Sequence, residues 1–345
     1  MNGRERELAA IRHQVPDRIP TDVIWIENGE QVAAMLGIRP EEVRDAFGID
    51  GCLVGAGYKG PARHGEGVSE FGTAGTCDYG TQRGYYPLAG ADSVAQVERF
   101  AWPEPADYDY EGGARAARDV SARYAVRGPW WYPLFCRVCD MMGMEEAMTA
   151  MLWRPRVFEA ALECTCRCIA GYCERLLDAC GDDIHILCLE DDFATQRGLM
   201  ISPEAWRRFL KPRYARLFEI GKRRGKFIWF HSCGDITSVL PDLIDIGMDV
   251  WETVQLHVLP VPPEELKRQF GKHITFFGGV NTQRLPFQTP EEVRAGVVRS
   301  IEALGEGGGY ICGPDHHVKP DVPAANAVAL FEAARSFRRA GYTLA

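Results

Sequence analysis

The chain has 345 residues, 46% of them hydrophobic and 25% charged, and its formal net charge is −9. This length accommodates one large barrel or two ordinary domains. The acidic balance and the lack of a long basic run argue against nucleic acid or an anionic membrane as partners.

The amino-terminal segment MNGRERELAAIRHQVPDR is charged and has no apolar centre, unlike a signal peptide. The sequence contains no run of about 18 apolar residues, which is the length that would predict a transmembrane helix. Twelve cysteines without an extracellular signature are typical of reduced, buried thiols. We therefore expect a cytoplasmic protein that does not span a membrane.

The first third of the chain is the least regular part. Strands are predicted near Ile24 and Cys52, and residues 60–90, rich in Gly, Thr and Tyr, predict hairpin-like insertions. A Pro-rich connector follows at 101–113. The segment 125–135 predicts another strand, and the helical stretch MEEAMTAML comes after it.

The remainder alternates regularly between helices and strands. A long helix is predicted at about 155–180, and further helices begin at Ser202-Pro203 and at Thr289, where an N-cap residue precedes a proline. Five buried strands are predicted from Ile184 onward, each followed by a helix: IHILCLE, KFIWF, MDVWETVQ, HITFFGG and GYICG.

Continuous apolar strands that alternate with helices indicate a parallel sheet built from βα units. With the earlier strands the total is about eight, which favours a (β/α)₈ TIM barrel over an open dinucleotide-binding sheet. No GxGxxG motif follows the first strand, in agreement with that choice. No break in composition separates two domains, so residues 1–345 are predicted to form a single domain.

The stretch FHSCGD places polar, metal-binding side chains directly after an apolar strand. His231 and Cys233 fall at the carboxyl end of that strand, where TIM barrels carry their working residues. An imidazole and a thiolate two residues apart are suited to zinc if the chain turns at Gly234. The alternative interpretation is a histidine that satisfies a loop hydrogen bond next to a buried thiol.

Further candidate ligands follow other predicted strands. Cys312 and His316 lie at the end of the last strand, and an acidic cluster at 190–192 ends an earlier one. Zinc accepts thiolate, imidazole and carboxylate together, and catalytic sites keep one coordination position open. The acidic cluster is equally typical of a helix start, where carboxylates are favoured.

The chain resembles the uroporphyrinogen decarboxylase superfamily, and within it the branch of cobalamin-dependent methyltransferases. The stretches that carry the resemblance span nearly the whole chain: RERELAAIRHQVPDRIP, YPLAGADSVAQVERFAWPEP, EDDFATQRGLMISPEAWRRFLKPRY, FHSCGDITSVLPDLIDIGMDVWETVQ, FFGGVNTQRLPFQTPEEV and GGGYICGPDHHVKPDVP. The resemblance implies a (β/α)₈ barrel and a homodimer.

The resemblance also implies a metal site. Zinc methyltransferases of this branch bind metal through a His-x-Cys pair and a later cysteine, and His231 and Cys233 match the pair. The later position corresponds to either Cys312 or His316. Zinc is the implied metal, and the implied partner is a corrinoid protein that carries cobalamin.

The function implied by the resemblance is methyl transfer between a corrinoid and a small methyl donor or acceptor, such as a thiol or a methoxylated aromatic compound. Glu190 and Asp191 are the predicted catalytic residues, as a proton handler or a fourth ligand. Two alternatives remain: a non-catalytic corrinoid or tetrapyrrole binder, and a metal-free decarboxylase of a small carboxylate.

Tetrapyrrole decarboxylation is disfavoured by the distribution of arginines. Decarboxylases of this superfamily carry an arginine-rich motif near the amino terminus, where the many carboxylate arms of the substrate are bound. The corresponding region here, IPTDVIWIENGE, lies in a stretch without arginine between Arg18 and Arg39.

Overall fold

Parallel strands buried on both faces form the central sheet of the computed structural model, which describes residues 1–73 and 86–337. Within those residues the sheet has the order β1-β2-β3-β6-β7-β8-β9. Its strands are β1 Gly51–Leu53, β2 Ala125–Gly128, β3 Ile186–Glu190, β6 Phe227–His231, β7 Val250–Val254, β8 Thr275–Val280 and β9 Tyr310–Pro314. A short antiparallel pair, β4 Ala194–Thr195 and β5 Gly198–Leu199, lies in the segment after β3.

Helices between and around the strands cover the outside of the sheet. They are α1 Gly3–Ile11, α2 Gly29–Leu36, α3 Val43–Phe47, α4 Val94–Glu98, α5 Tyr110–Ser121, α6 Phe135–Met142, α7 Met144–Trp153, α8 Pro155–Cys180, α9 Pro203–Phe209, α10 Lys211–Lys222, α11 Leu240–Asp245, α12 Pro263–Phe270, α13 Pro290–Leu304 and α14 Ala324–Ser336.

The predicted helix starts are present, with one difference between α9 and α10. The Ser202 side chain accepts the Ala205 amide at 3.1 Å, and Thr289 forms a capping box with Glu292. The sequence predicted one helix from Ser202 onward, whereas the structure has two. Pro212, in the first turn of α10, has no amide hydrogen with which to continue the bonding pattern of α9.

The barrel is closed by the chain before β1. Thr21 forms a parallel bridge with Cys312 of β9, and the Asp22 amide donates to the Cys312 carbonyl at 3.2 Å. On its other side the Thr21 carbonyl accepts the Asp50 amide at 2.9 Å. This segment takes the place of the eighth strand, at the position of the strand predicted near Ile24, so the (β/α)₈ barrel is confirmed.

Side chains alternate along each strand between the inside of the barrel and the layer beneath the helices. The α1 helix covers the amino-terminal end of the barrel, where the Ala10 carbonyl accepts the Gly309 amide at 3.1 Å. The interior cluster is small and apolar: Leu8, Ala10, Ile11, Ile24, Ala125, Ile186, Cys188, Trp229, Val250, Phe277 and Ile311. The larger cluster lies outside the strands, against the helices.

The region of the predicted hairpin-like insertions is only partly described. Residues 60–73 and 86–90 run through turns and loops without a strand, and the rest of that prediction, 74–85, lies outside the described residues. Cysteines in the described ranges are all free. No helix among them is both long and apolar enough to cross a bilayer.

Candidate metal centre

Three potential metal ligands meet at the carboxyl ends of β3 and β6. His231 is the last residue of β6, Cys233 follows it, and Asp192 comes two residues after the end of β3. The register of the two strands pairs Glu190 with His231, so Asp192 and Cys233 leave the barrel rim side by side. The Cys233 amide donates to Asp192 Oδ1 at 2.7 Å and fixes this arrangement.

The spacing of these donors matches that of a zinc ion. A tetrahedral zinc holds sulfur at about 2.3 Å and nitrogen at about 2.1 Å, so the two ligand atoms lie about 3.6 Å apart. Cys233 Sγ lies 3.6 Å from His231 Nε2, and Asp192 Oδ1 lies 3.8 Å from the same nitrogen. All three ligand atoms fall within 4.8 Å of one another. The residues therefore fit a zinc ion with three protein ligands.

The turn after Cys233 depends on a glycine. Gly234 has φ +83°, which side chains rarely adopt, and a Cβ there would lie 2.5 Å from the Thr195 carbonyl oxygen. The Gly234 amide donates to Gln255 Oε1 at 2.8 Å. The glycine lets the chain pass close to the β4–β5 pair and directs the thiol back toward His231.

A second carboxylate lies behind the imidazole. His231 Nδ1 lies 3.3 Å from Glu252 Oε1, and Glu252 is the residue of β7 paired with His231 across the sheet. The other oxygen, Oε2, accepts the indole N–H of Trp229. A carboxylate on Nδ1 sets the tautomer that presents Nε2 to a metal, as in zinc sites generally.

The pKa values reflect a site that attracts positive charge. Burial lowers the pKa of His231, but its contacts with Cys233 and Glu252 outweigh burial and raise it well above the usual value. Burial and the Asp192 carboxylate raise the pKa of Cys233, against the opposing effect of His231. A divalent cation would supply the missing positive charge and release both protons.

A cavity of about 690 Å³ opens beside Asp192 and Cys233. His316 also lines this cavity, and its ring centroid lies 6.3 Å from that of His231. Burial and the nearby charge of His231 lower the pKa of His316 to about 3, so this imidazole is neutral. His316 is thus close to the centre but is not one of its three converging donors.

The structure does not place the predicted ligand Cys312 at this centre. Cys312 lies within β9, fully buried, with its side chain in the layer beneath the helices, whereas its neighbour Ile311 points into the barrel. Burial raises its thiol pKa to about 12. A side chain on the outer face of the sheet cannot share an ion with His231, so the expectation that Cys312 is a ligand is wrong.

Glu190 lies next to the centre, on the neighbouring strand. Its Oε2 accepts the Tyr132 amide at 3.0 Å, and Cys188 Sγ lies 3.5 Å from Oε1. Burial raises the pKa of Glu190 to about 8, although the charge of His231 opposes the shift. Glu190 therefore holds a proton near neutral pH.

The carboxylate of Asp191 is held by hydrogen bonds from the start of a neighbouring helix. Its carboxylate accepts the backbone amides of Leu134, Phe135 and Cys136, at the start of α6, together with the Tyr214 hydroxyl. Burial raises its pKa to about 6, and these hydrogen bonds counteract part of that shift. The acidic cluster leads into β4 and not into a helix, so the interpretation that it begins a helix of its own is wrong. Asp191 instead binds the start of α6, whereas Asp192 faces the candidate metal centre.

Two tryptophan rings lie near the candidate centre, one of them close to His231. Trp130 lies 6.1 Å from the ring of His231 and 6.2 Å from Trp25, which is 46% exposed. Other aromatic residues near the strand ends pack into the core: Phe135 and Trp229 are fully buried, and Tyr132 stacks on Tyr172.

Within the acidic cluster at 190–192 the sequence favoured Glu190 and Asp191 over Asp192, and it did not predict Glu252. Counting from the strand ends identifies Asp192, because it stands at the same distance past Glu190 as Cys233 does past His231. The signal for Glu252 is a carboxylate inside the buried strand MDVWETVQ, since such a group requires a partner.

A family model described as uroporphyrinogen decarboxylase (URO-D) matches residues 125–337, more than half of the chain. That match includes both strands that carry the candidate metal ligands. None of the curated proteins matches the chain.

Among solved structures, a methyltransferase from Methanosarcina mazei is similar over 97% of this chain and 98% of its own, at 17% identity and a TM-score of 0.67. At this identity the similarity establishes the fold alone. An A. niger ochratoxinase (13% identity, 48% of this chain and 41% of that one, TM-score 0.26) and a D-psicose 3-epimerase (11% identity, 70% and 83%, TM-score 0.34) are too distant to carry an argument.

The helix-capping role of Asp191 is tested by Asp191→Asn. We expect the free energy of unfolding to fall by about 2–3 kcal/mol, because an amide cannot replace a carboxylate that accepts several hydrogen bonds. Zinc affinity of the folded variant stays unchanged. Chemical denaturation and metal titration measure the two effects, and lost zinc affinity at unchanged stability would assign Asp191 to the metal centre instead.

The close turn at Gly234 is tested by Gly234→Ala, with Gly37→Ala as the matched control. Gly37 also has positive φ (+67°), but nothing lies within 4 Å of its added Cβ. Left-handed backbone costs about 1–2 kcal/mol in either variant.

We expect Gly234→Ala to lose more stability than the control and to weaken zinc binding, because the clash displaces Cys233. Denaturation and metal titration of both variants provide the comparison. Equal losses of stability with unchanged zinc binding in both would contradict the role assigned to this turn.

Proposed function

The chain belongs to the uroporphyrinogen decarboxylase family, and from this premise we propose that it is a zinc-dependent methyltransferase. It moves a methyl group between a corrinoid, carried by a partner protein, and a small substrate such as a thiol or a methoxylated aromatic compound. The observation that carries the proposal is the convergence of Asp192, His231 and Cys233 beside an open cavity.

A centre with three protein ligands leaves a coordination position for substrate. Structural zinc sites are closed by four protein ligands, whereas catalytic sites have three and an open position. When bound, zinc acts as a Lewis acid that holds a thiol as thiolate or polarises the oxygen of a methyl ether. Asp192, His231 and Cys233 would hold the ion beside the cavity, and Glu252 would hold the imidazole in the required tautomer.

The cavity has the size of a small-molecule site. Its volume of about 690 Å³ is within the range of pockets that enclose drug-sized ligands. A corrinoid is much larger than such a ligand and therefore approaches at the mouth. The exposed Trp25 and the half-buried Trp130 are not among the residues that line this cavity, but they offer an aromatic face near His231.

The charges around the cavity disfavour a polycarboxylate substrate. Among the described residues that line it, Lys319 is the one cationic side chain, and it already contacts Glu27 at 3.2 Å. Asp192 and Asp321 add negative charge to the same lining. A tetrapyrrole with many carboxylate arms would meet more repulsion than attraction here.

Glu190 is the proton handler of this proposal. Its carboxyl group is protonated near neutral pH and lies on the strand next to His231. A methyl ether that loses its methyl group leaves an oxygen that gains a proton, and a thiol that accepts a methyl group first loses one. The protonated acid supplies the proton in the first direction, and its carboxylate form accepts the proton in the second.

The proposal is tested by Cys233→Ala, with Cys312→Ala as the matched control. We expect Cys233→Ala to lose stoichiometric zinc and more than about 100-fold in methyl transfer, beyond the 10–100-fold cost typical of outer-shell residues. Cys312→Ala keeps both. Zinc content is measured on purified protein, and methyl transfer is followed by cobalt absorbance with methylcobalamin and candidate thiols or methoxyarenes.

Three outcomes would overturn the proposal. Zinc retained at full stoichiometry in Cys233→Ala removes the thiol from the centre. Tight corrinoid binding without turnover of any thiol or methoxyarene points to a binding protein. Release of carbon dioxide from a small carboxylate by metal-free protein points to a decarboxylase.

A further inference from the structure

A buried row of polar side chains runs below the metal centre, inside the barrel. Arg127 on β2 pairs with Asp22, and its guanidinium lies 4.7 Å from the centroid of the Trp229 ring. Trp229 on β6 donates its indole N–H to Glu252, and Glu252 faces His231. All five side chains are at most 2% exposed.

We propose that Trp229 is a positioning residue of the metal centre and acts on His231 through Glu252. The proposal rests on the zinc site proposed above. It adds that an indole from the apolar interior of the barrel, which contacts neither metal nor substrate, sets the geometry and affinity of that site.

The hydrogen bonds available to Glu252 support this role. Oε2 is bound by the indole, while Oε1 and His231 Nδ1 have no hydrogen-bond partner elsewhere in the described residues. These two atoms lie 3.3 Å apart, so a small rotation of the carboxylate decides whether they bond. The indole N–H limits that rotation, because Glu252 is fully buried and a hydrogen bond is stronger in such low-dielectric surroundings.

Arg127 strengthens the indole as a donor. A cation over the face of an indole ring is attracted by its electrons and draws electron density from it, which makes the N–H more polar. Asp22 on one side and the ring on the other hold the guanidinium in place. The charge of Arg127 also attracts the Glu252 carboxylate directly, so both the ring contact and this attraction link Arg127 to Glu252.

The experiment compares Trp229→Phe with Trp251→Phe in the full-length protein. Both tryptophans are fully buried on adjacent strands, but Trp251 Nε1 has no hydrogen-bond partner among the described residues. We expect zinc affinity to fall about tenfold in Trp229→Phe, the lower end of outer-shell effects, and to stay unchanged in Trp251→Phe. In the cobalt(II)-substituted protein, the visible bands shift only in Trp229→Phe.

A double-mutant cycle with Glu252→Gln identifies the path of the effect. Glu252→Gln alone weakens zinc binding about 10–100-fold. If Trp229 acts through Glu252, adding Trp229→Phe to that variant produces little further loss, since coupled residues are non-additive. Additive losses, or equal affinities and cobalt spectra in the two tryptophan variants, overturn the inference.

A measurement on the wild-type protein keeps the inference testable if the variants fail to fold. Nitrogen-15 NMR of the zinc-loaded chain should find His231 metallated at Nε2 and protonated at Nδ1, with the Nδ1 proton strongly hydrogen-bonded. A weakly bonded Nδ1 proton overturns the inference. Wild-type protein that binds no zinc overturns the proposed function instead, so the two failures are distinguishable.

Discussion

The parallel register between β3 and β6 is the constraint on which the centre depends. It pairs Glu190 with His231, and the same alignment, continued past the strand ends, brings Asp192 beside Cys233. A shift of one residue would turn Asp192 away from the thiol, because side chains alternate between the faces of a strand. Backbone hydrogen bonds, which any sequence can make, therefore determine which side chains meet.

Charged side chains lie inside the barrel, where a purely apolar core would be more stable. Arg127, Asp22 and Glu252 are buried among residues such as Val250 and Ile311, and buried ion pairs rarely repay their desolvation. This row of buried polar side chains ends at His231. Of the three potential metal ligands, His231 is the one that the row contacts. The position of the row indicates that the barrel core supports the site as well as the fold, a combination expected where catalytic geometry must be rigid.

Neighbouring acids at one strand end have different environments and different chemistry. Asp191 accepts hydrogen bonds from the amides at the start of α6, and Asp192 faces the thiol of Cys233. Glu190 keeps a proton in the buried space between strands. Burial raises the pKa of both Glu190 and Asp191, but several hydrogen-bond donors restrain the shift at Asp191. Adjacent residues in sequence thus bind a helix start, contribute a potential metal ligand and hold a proton.

The sequence by itself determined the barrel and two residues of the candidate centre. Apolar strands alternating with capped helices specify a (β/α)₈ barrel because each pattern can bury its apolar face in only one way, and His231 and Cys233 follow from their place at a strand end. Only the tertiary structure decided between donors from other strands. It excluded Cys312, which faces the helices, selected Asp192 from the acidic cluster and added Glu252, because distances across strands depend on register and strand twist, which local sequence does not encode.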